Sequence, residues 1–124
     1  MRHNQSLKQW KNMNSKEISK RTNTPINTIR YFERIGLIPQ VKRNRDGLRE
    51  FNGEDADWIC FIKQMREVNL SIEGLIEYVT LSIQPEKTVH ARLELLNEQK
   101  NELEEQINRL EAAKSELQRR IIIK

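Results

Sequence analysis

Val89, Leu93, Leu96, Lys100, Leu103, Ile107, Leu110, Lys114, Leu117 and Ile121 alternate in steps of four and three residues. A helix with this spacing carries one narrow stripe along its whole length, and eight of the ten stripe positions are aliphatic. At about 1.5 Å per residue the helix is on the order of 50 Å long and has no way to bury the stripe by itself. The pattern therefore predicts a coiled-coil dimerisation helix over 85–121. Its contacts are Val89, Leu93, Leu96, Leu103, Ile107, Leu110, Leu117 and Ile121. Lys100 and Lys114 fill the other two stripe positions, where a cation costs stability but can fix register or partner choice. The spacing alone leaves the relative direction of the two helices open.

A globular part must then come from the residues before 85. Apolar residues make up only 36% of the 124, and charged residues 32%, which suits an elongated chain better than one globule. No apolar run is long enough to span a bilayer, and no signal-peptide pattern is present. The single cysteine, Cys60, rules out an internal disulfide, so a cytoplasmic setting is expected. Residues 1–51 hold 12 Lys/Arg against 4 Asp/Glu, while residues 52–124 hold 10 against 14. A basic block beside a mildly acidic remainder suggests a polyanion partner, most simply double-stranded DNA.

The basic block has internal order. Residues 1–13 show no periodicity and are expected to form a flexible N-terminal arm. Asn14 stands three residues before Glu17, as in a capping box, and predicts a helix over roughly 15–21. Thr22-Asn23 makes a tight connector. Thr24 as N-cap and Pro25 at the first helical position open a second helix, which runs to about Arg34 and stops at Gly36. Two short helices joined by a tight turn are the helix-turn-helix layout. In the second helix Ile26, Ile29 and Phe32 share one face. Asn27, Arg30, Tyr31 and Arg34 share the other, with Thr28 beside them, and offer groups that contact phosphates and base edges.

A hairpin follows. Val41 to Arg45 and Leu48 to Phe51 flank Asp46-Gly47, a sequence suited to a two-residue type I′ turn. Lys42, Arg43, Arg45 and Arg49 lie on or near it, which makes a basic wing beside the helix-turn-helix. Asn52 with Asp55 then caps a third helix, whose apolar stripe includes Trp58, Ile59, Phe61, Ile62, Met65 and Val68. Asn69 is a plausible stop, and Ser71 caps a fourth helix running to about Leu81. The predicted fold is mostly α: a winged helix-turn-helix DNA-binding domain over 14–82, followed by a long dimerisation coiled-coil helix.

The stretch "KEISKRTNTPINTIRYFERIGLIP" followed by "GLREF" resembles the DNA-binding domain of the MerR family of bacterial transcription regulators. Members of that family carry "TLRYYE", then "GLL-P", then a "G-YR-Y" wing. The resemblance covers roughly 15–82, and the coiled-coil tail adds to it. It implies that Arg30 and Tyr31 occupy DNA-contacting helix positions and that Arg49 is the wing arginine. Asn27 stands where a basic residue is common, and Leu48 and Phe51 replace wing tyrosines, so those two hydroxyl contacts are not carried over. The resemblance further implies an antiparallel homodimer on a palindromic promoter site. Such a dimer distorts the promoter spacer so that RNA polymerase can engage. An architectural or recombination-accessory DNA-binding protein is the alternative that shares the same head.

Chemistry is sparse elsewhere. There is no His/Cys/Asp cluster, no glycine-rich phosphate loop and no nucleophile motif, so neither catalytic residues nor a cofactor are expected. His3 and His90 lie too far apart in sequence to suggest a metal site, and no cysteine flanks the ends of the coiled coil. The stretch "DADWICFIKQMREVNLSIEGLIEYVTL" is similar to the small one-cysteine branch of the family, whose members respond to aldehydes and other electrophiles. That branch commonly places its cysteine where Gln64 stands here. Cys60 lies one helical turn earlier, so it is a candidate effector-sensing residue whose simpler reading is a buried core thiol.

Overall fold

The computed structural model describes residues 10–123. Helix α1, Ser15–Thr22, starts at the expected capping box. Asn14 Oδ1 accepts the Glu17 amide at 2.8 Å, and the Asn14 amide donates to Glu17 Oε1 at 2.9 Å. The helix ends at Asn23, whose left-handed backbone (φ 51°) turns the chain at once toward the second helix.

Helix α2, Ile26–Ile35, begins one residue later than the sequence suggests. Thr24 is not its cap: its hydroxyl donates backward to the Thr22 carbonyl at 2.9 Å, and the side chain is buried in the turn. Pro25 takes the cap position, its carbonyl accepting the amides of Thr28 and Ile29. Gly36 ends the helix with φ 88°, as anticipated.

The wing pairs β1, Lys42–Arg43, antiparallel with β2, Arg49–Glu50, setting Lys42 opposite Glu50 and Arg43 opposite Arg49. Its turn is not the two-residue type I′ form. That form needs φ > 0 at both central residues, whereas Gly47 (φ 80°) is the only residue of the loop with positive φ. Asn44 decides this. Its side-chain oxygen accepts the amides of Asp46 and Leu48, and its carbonyl accepts the Gly47 amide at 3.0 Å, giving a three-residue Arg45-Asp46-Gly47 loop.

The flexible arm expected over 1–13 does not extend through Met13. Residues 1–9 lie outside the described residues. Met13, however, is only 4% exposed and forms a bridge with Phe51 through two backbone hydrogen bonds of 2.7 and 2.8 Å. Burial of both side chains in the core draws this segment into the wing.

Helix α3, Gly53–Glu67, opens on the expected Asn52–Asp55 capping box, and Asn69 (φ 63°) lies just past its end. Helix α4, Ile72–Ser82, opens where Ser71 Oγ accepts the Gly74 amide. A 3-10 turn at Pro85–Lys87 leads into α5, Val89–Ile123, so the long helix starts four residues after Pro85. The elbow is tied by the Thr88 hydroxyl, which donates to the Leu81 carbonyl at 2.8 Å, and by Arg92, which donates to Thr88 Oγ1 and the Pro85 carbonyl.

Ile18, Ile29, Phe32, Leu37, Phe51, Ile59, Ile62 and Leu70 form one core shared by α1, α2, the wing and α3. Each side chain of this size contributes about 1.5–3 kcal/mol when fully buried. The first half of α5 lies along α4, with Leu95, Gln99 and Leu103 half-buried. A Cβ at Gly74 would meet Gln99 Nε2 at 2.8 Å, so the missing side chain on α4 leaves room for that of Gln99. The long stripe is therefore divided. Leu103 packs against the head's own core, whereas Val89, Leu93, Leu96, Ile107, Leu110, Leu117 and Ile121 stay exposed.

Candidate nucleic-acid interface

Burial of Ile29 and Phe32 fixes the rotation of α2, and this orients everything on its other side. Asn27, Arg30, Tyr31 and Arg34 are exposed together there, with Thr28 half-buried at the margin. Arg34 Cζ lies 5.4 Å from the centroid of the Tyr31 ring. Such a cation–π contact contributes about 0.5–1 kcal/mol at an exposed site and restricts both side chains. Lys42, Arg43 and Arg45 are exposed on the wing, where Arg43 Nη1 donates to the Gly47 carbonyl at 2.8 Å and so braces the loop.

Arg49 is placed differently from the other cations. Its Nε donates to Glu33 Oε1 at 2.8 Å, and the two side chains are only 24% and 12% exposed. Glu33 Oε2 also accepts the Val41 amide at 2.8 Å. A single carboxylate on α2 thus grips both arms of the wing. Sequence reasoning missed this role for Glu33. The available signal was its isolation, since it is the only acidic residue of α2 and stands next to Arg34. Lys63 is a second such bolt, its Nζ donating to the Asn23 carbonyl at 2.7 Å and fastening α3 to the turn between α1 and α2.

The arrangement can present one helix face and one basic ribbon to a duplex at the same time. The helix suits a groove and the ribbon suits the flanking backbone.

Cys60 is carried by α3. It is half-buried in a groove of about 700 Å³ walled by Trp58, Phe61, Tyr78 and Leu96. Burial pushes its thiol pKa up, the Asp57 carboxylate adds to this, and Lys63 partly offsets both. A thiol held neutral is a poor nucleophile, in keeping with a structural role. Among the described residues no three His, Cys, Asp or Glu side chains gather in a way that could hold a metal ion. Among them, too, no helix is long and apolar enough to cross a membrane.

Comparison with known proteins agrees with this geometry. The family model for MerR HTH family regulatory proteins matches residues 13–81, and that for the MerR DNA-binding region matches 57–120. The HTH-type transcriptional regulator AdhR of Bacillus subtilis (strain 168) is 46% identical over 91 residues, which cover 73% of this chain and 65% of that protein. The chain thus spans just under two thirds of that relative's length. A crystal structure from Listeria monocytogenes, described as a MerR family transcriptional regulator, superposes with a TM-score of 0.85 at 46% identity, covering 88% of this chain and 83% of that one. HiNmlR, a MerR family regulator lacking the sensor domain and bound to promoter DNA, shares the fold, with a TM-score of 0.79 at 21% identity over 90% of this chain and 88% of its own. The chain belongs to the MerR family of helix-turn-helix regulatory proteins.

Proposed function

We propose that this chain is a sequence-specific DNA-binding transcription regulator that acts in the cytoplasm as a homodimer on a palindromic promoter site. The observation that carries the reading is the exposure of Arg30 and Arg34 on α2 and of Lys42, Arg43 and Arg45 on a wing that Glu33 ties to that helix. In this reading Asn27, Arg30 and Tyr31 enter the major groove, Thr28 and Arg34 support them, and the wing cations hold phosphates. Arg49 acts mainly by positioning the wing.

Two such heads are joined through the exposed stripe of α5, and two-fold symmetry matches the palindrome. The dimer distorts the spacer of its promoter, which brings in RNA polymerase without a direct protein contact. The likeness to AdhR, a transcriptional regulator, supports the regulatory reading, and that to HiNmlR, which is bound to promoter DNA, supports promoter DNA as the target.

Selection from a random DNA pool at two salt concentrations tests the proposal. A palindromic consensus that survives the higher salt is expected. Binding without a consensus, lost steeply with salt, would mean that the cations grip only phosphate and that the protein is architectural.

A further inference from the structure

A smaller cavity lies where α3, α4 and the first half of α5 meet. Phe61 and Met65 of α3, Leu75 and Tyr78 of α4, and Leu95 and Leu103 of α5 wall about 180 Å³. Gly74 and Gln99 face each other across the same wall. All of these residues are buried or half-buried, whereas Lys100, which also borders the cavity, is exposed to solvent.

One polar atom stands out in this apolar surround. Gln99 Oε1 is buried and accepts no hydrogen bond among the described residues. An amide oxygen withdrawn from water is destabilising until a donor reaches it. The other end of the same amide is closely placed. Gln99 Nε2 lies 2.8 Å from where a Cβ of residue 74 would stand, so any larger residue there would displace the amide.

We infer that this cavity binds a small neutral molecule, one ring in size, whose single hydroxyl or N–H donates to Gln99 Oε1. Volume sets the size. An apolar cavity of about 150 Å³ accommodates one benzene, so this one takes a ring with a small substituent. The aromatic and leucine walls favour an apolar body, and the orphaned oxygen calls for one donor. Charge is disfavoured on both counts. No buried cation is present to offset an anion, and a carboxylate would set its own acceptor oxygens against that of Gln99. An occupant would touch α3, α4 and α5 together, at the place where the long helix is fastened to the head. The inference rests on the cavity and Gln99 and is independent of the DNA-binding reading.

Phenol and toluene test it, because they have nearly the same shape and exchange a hydroxyl for a methyl group. Each is titrated into the full chain and followed by ligand-observed saturation-transfer NMR, with benzoate as a third probe. Both phenol and toluene are expected to saturate the wild type, and benzoate is expected to bind more weakly than phenol. Gln99→Leu keeps the bulk of the side chain and removes the acceptor. In that variant the ratio of phenol to toluene affinity is expected to fall about tenfold, with toluene binding retained. Gln99→Met supplies the same comparison should the leucine variant fail to fold. Leu103→Phe adds bulk to the wall and is expected to weaken both probes together. Failure of phenol to saturate the wild type would overturn the site and leave Gln99 Oε1 to a water. An unchanged affinity ratio in the Gln99 variants would overturn the role of that oxygen. Undiminished binding of both probes to Leu103→Phe would place them elsewhere and overturn the cavity assignment. Tighter binding of benzoate than of phenol would overturn the neutral class of ligand.

Discussion

Arg49 Nε and Glu33 Oε1 are 2.8 Å apart, and the same carboxylate accepts the Val41 amide through its other oxygen. The wing is therefore not an independent hairpin. Two residues per strand make too short a ladder to be stable alone. Its position relative to α2 rests on the Glu33 clamp together with the burial of Val41 and Phe51 in the shared core.

Glu33→Ala should consequently cost stability and DNA affinity together. Loss of a largely buried charged acceptor, which leaves the Val41 amide and Arg49 without it, is expected to cost about 1–3 kcal/mol. Because the clamp positions the wing without reading bases, affinity should fall by a similar factor for all DNA sequences. Chemical denaturation and binding titrations on two unrelated sites check this. A change in sequence preference would instead point to base contact.

Arg30→Ala separates two kinds of contact. If Arg30 reads a base edge, the expected loss is about 1–3 kcal/mol with relaxed preference at one position of the site. If it holds a phosphate, binding weakens uniformly and the slope of log affinity against log salt falls by about one. No change in either quantity would remove Arg30 from the interface.

In the proposed homodimer, Leu110→Lys is expected to shift the protein to monomer. Leu110 is 69% exposed within the chain, so its replacement removes intermolecular packing with little effect on the head. Leu103→Lys is expected to lower dimerisation too, but it also destabilises the monomer, because Leu103 packs against the core. Light scattering together with thermal melting distinguishes the two variants.

Gly47→Ala should destabilise the wing tip through backbone strain. A Cβ there meets nothing within 4 Å, so the cost comes from φ 80° and not from a clash. It is expected to be about 1 kcal/mol. The effect should appear in DNA binding before it appears in the melting temperature, since the tip is exposed.

Cys60 gives a pH prediction. Its folded pKa is raised, first by burial and then by Asp57. The contribution to stability is full below the unfolded thiol value of about 8.5, where both states hold the proton. It is lost as pH rises through the raised folded value, because the unfolded state gives up its proton first. Cys60→Ser should therefore flatten part of the alkaline decline in melting temperature. Effector response, where present, is expected to survive that substitution. Loss of the response with intact DNA binding would restore Cys60 as a sensor.

Much of this protein was legible as local pattern. The capping boxes at Asn14–Glu17 and Asn52–Asp55, the left-handed stop at Gly36 and the buried set of Ile29 and Phe32 depend on neighbours within a few residues. So does the exposed face of Arg30, Tyr31 and Arg34, because helical periodicity fixes one face once the other is buried. The four-three spacing of α5 likewise follows from residue order alone.

Contacts across longer chain separations required the folded structure. The Asn44 side chain overrode the turn preference of Asp46-Gly47, Met13 joined the wing through Phe51, and Glu33 captured Arg49 from 16 residues away. The division of the α5 stripe at Leu103 is of the same kind: a heptad states which residues are apolar, but not whether the surface that covers them belongs to the same chain. Residue order determined the helices and their faces because those interactions lie within one or two turns. Only the tertiary structure decided which cations and which apolar residues stay exposed, because both depend on which distant groups arrive at close range.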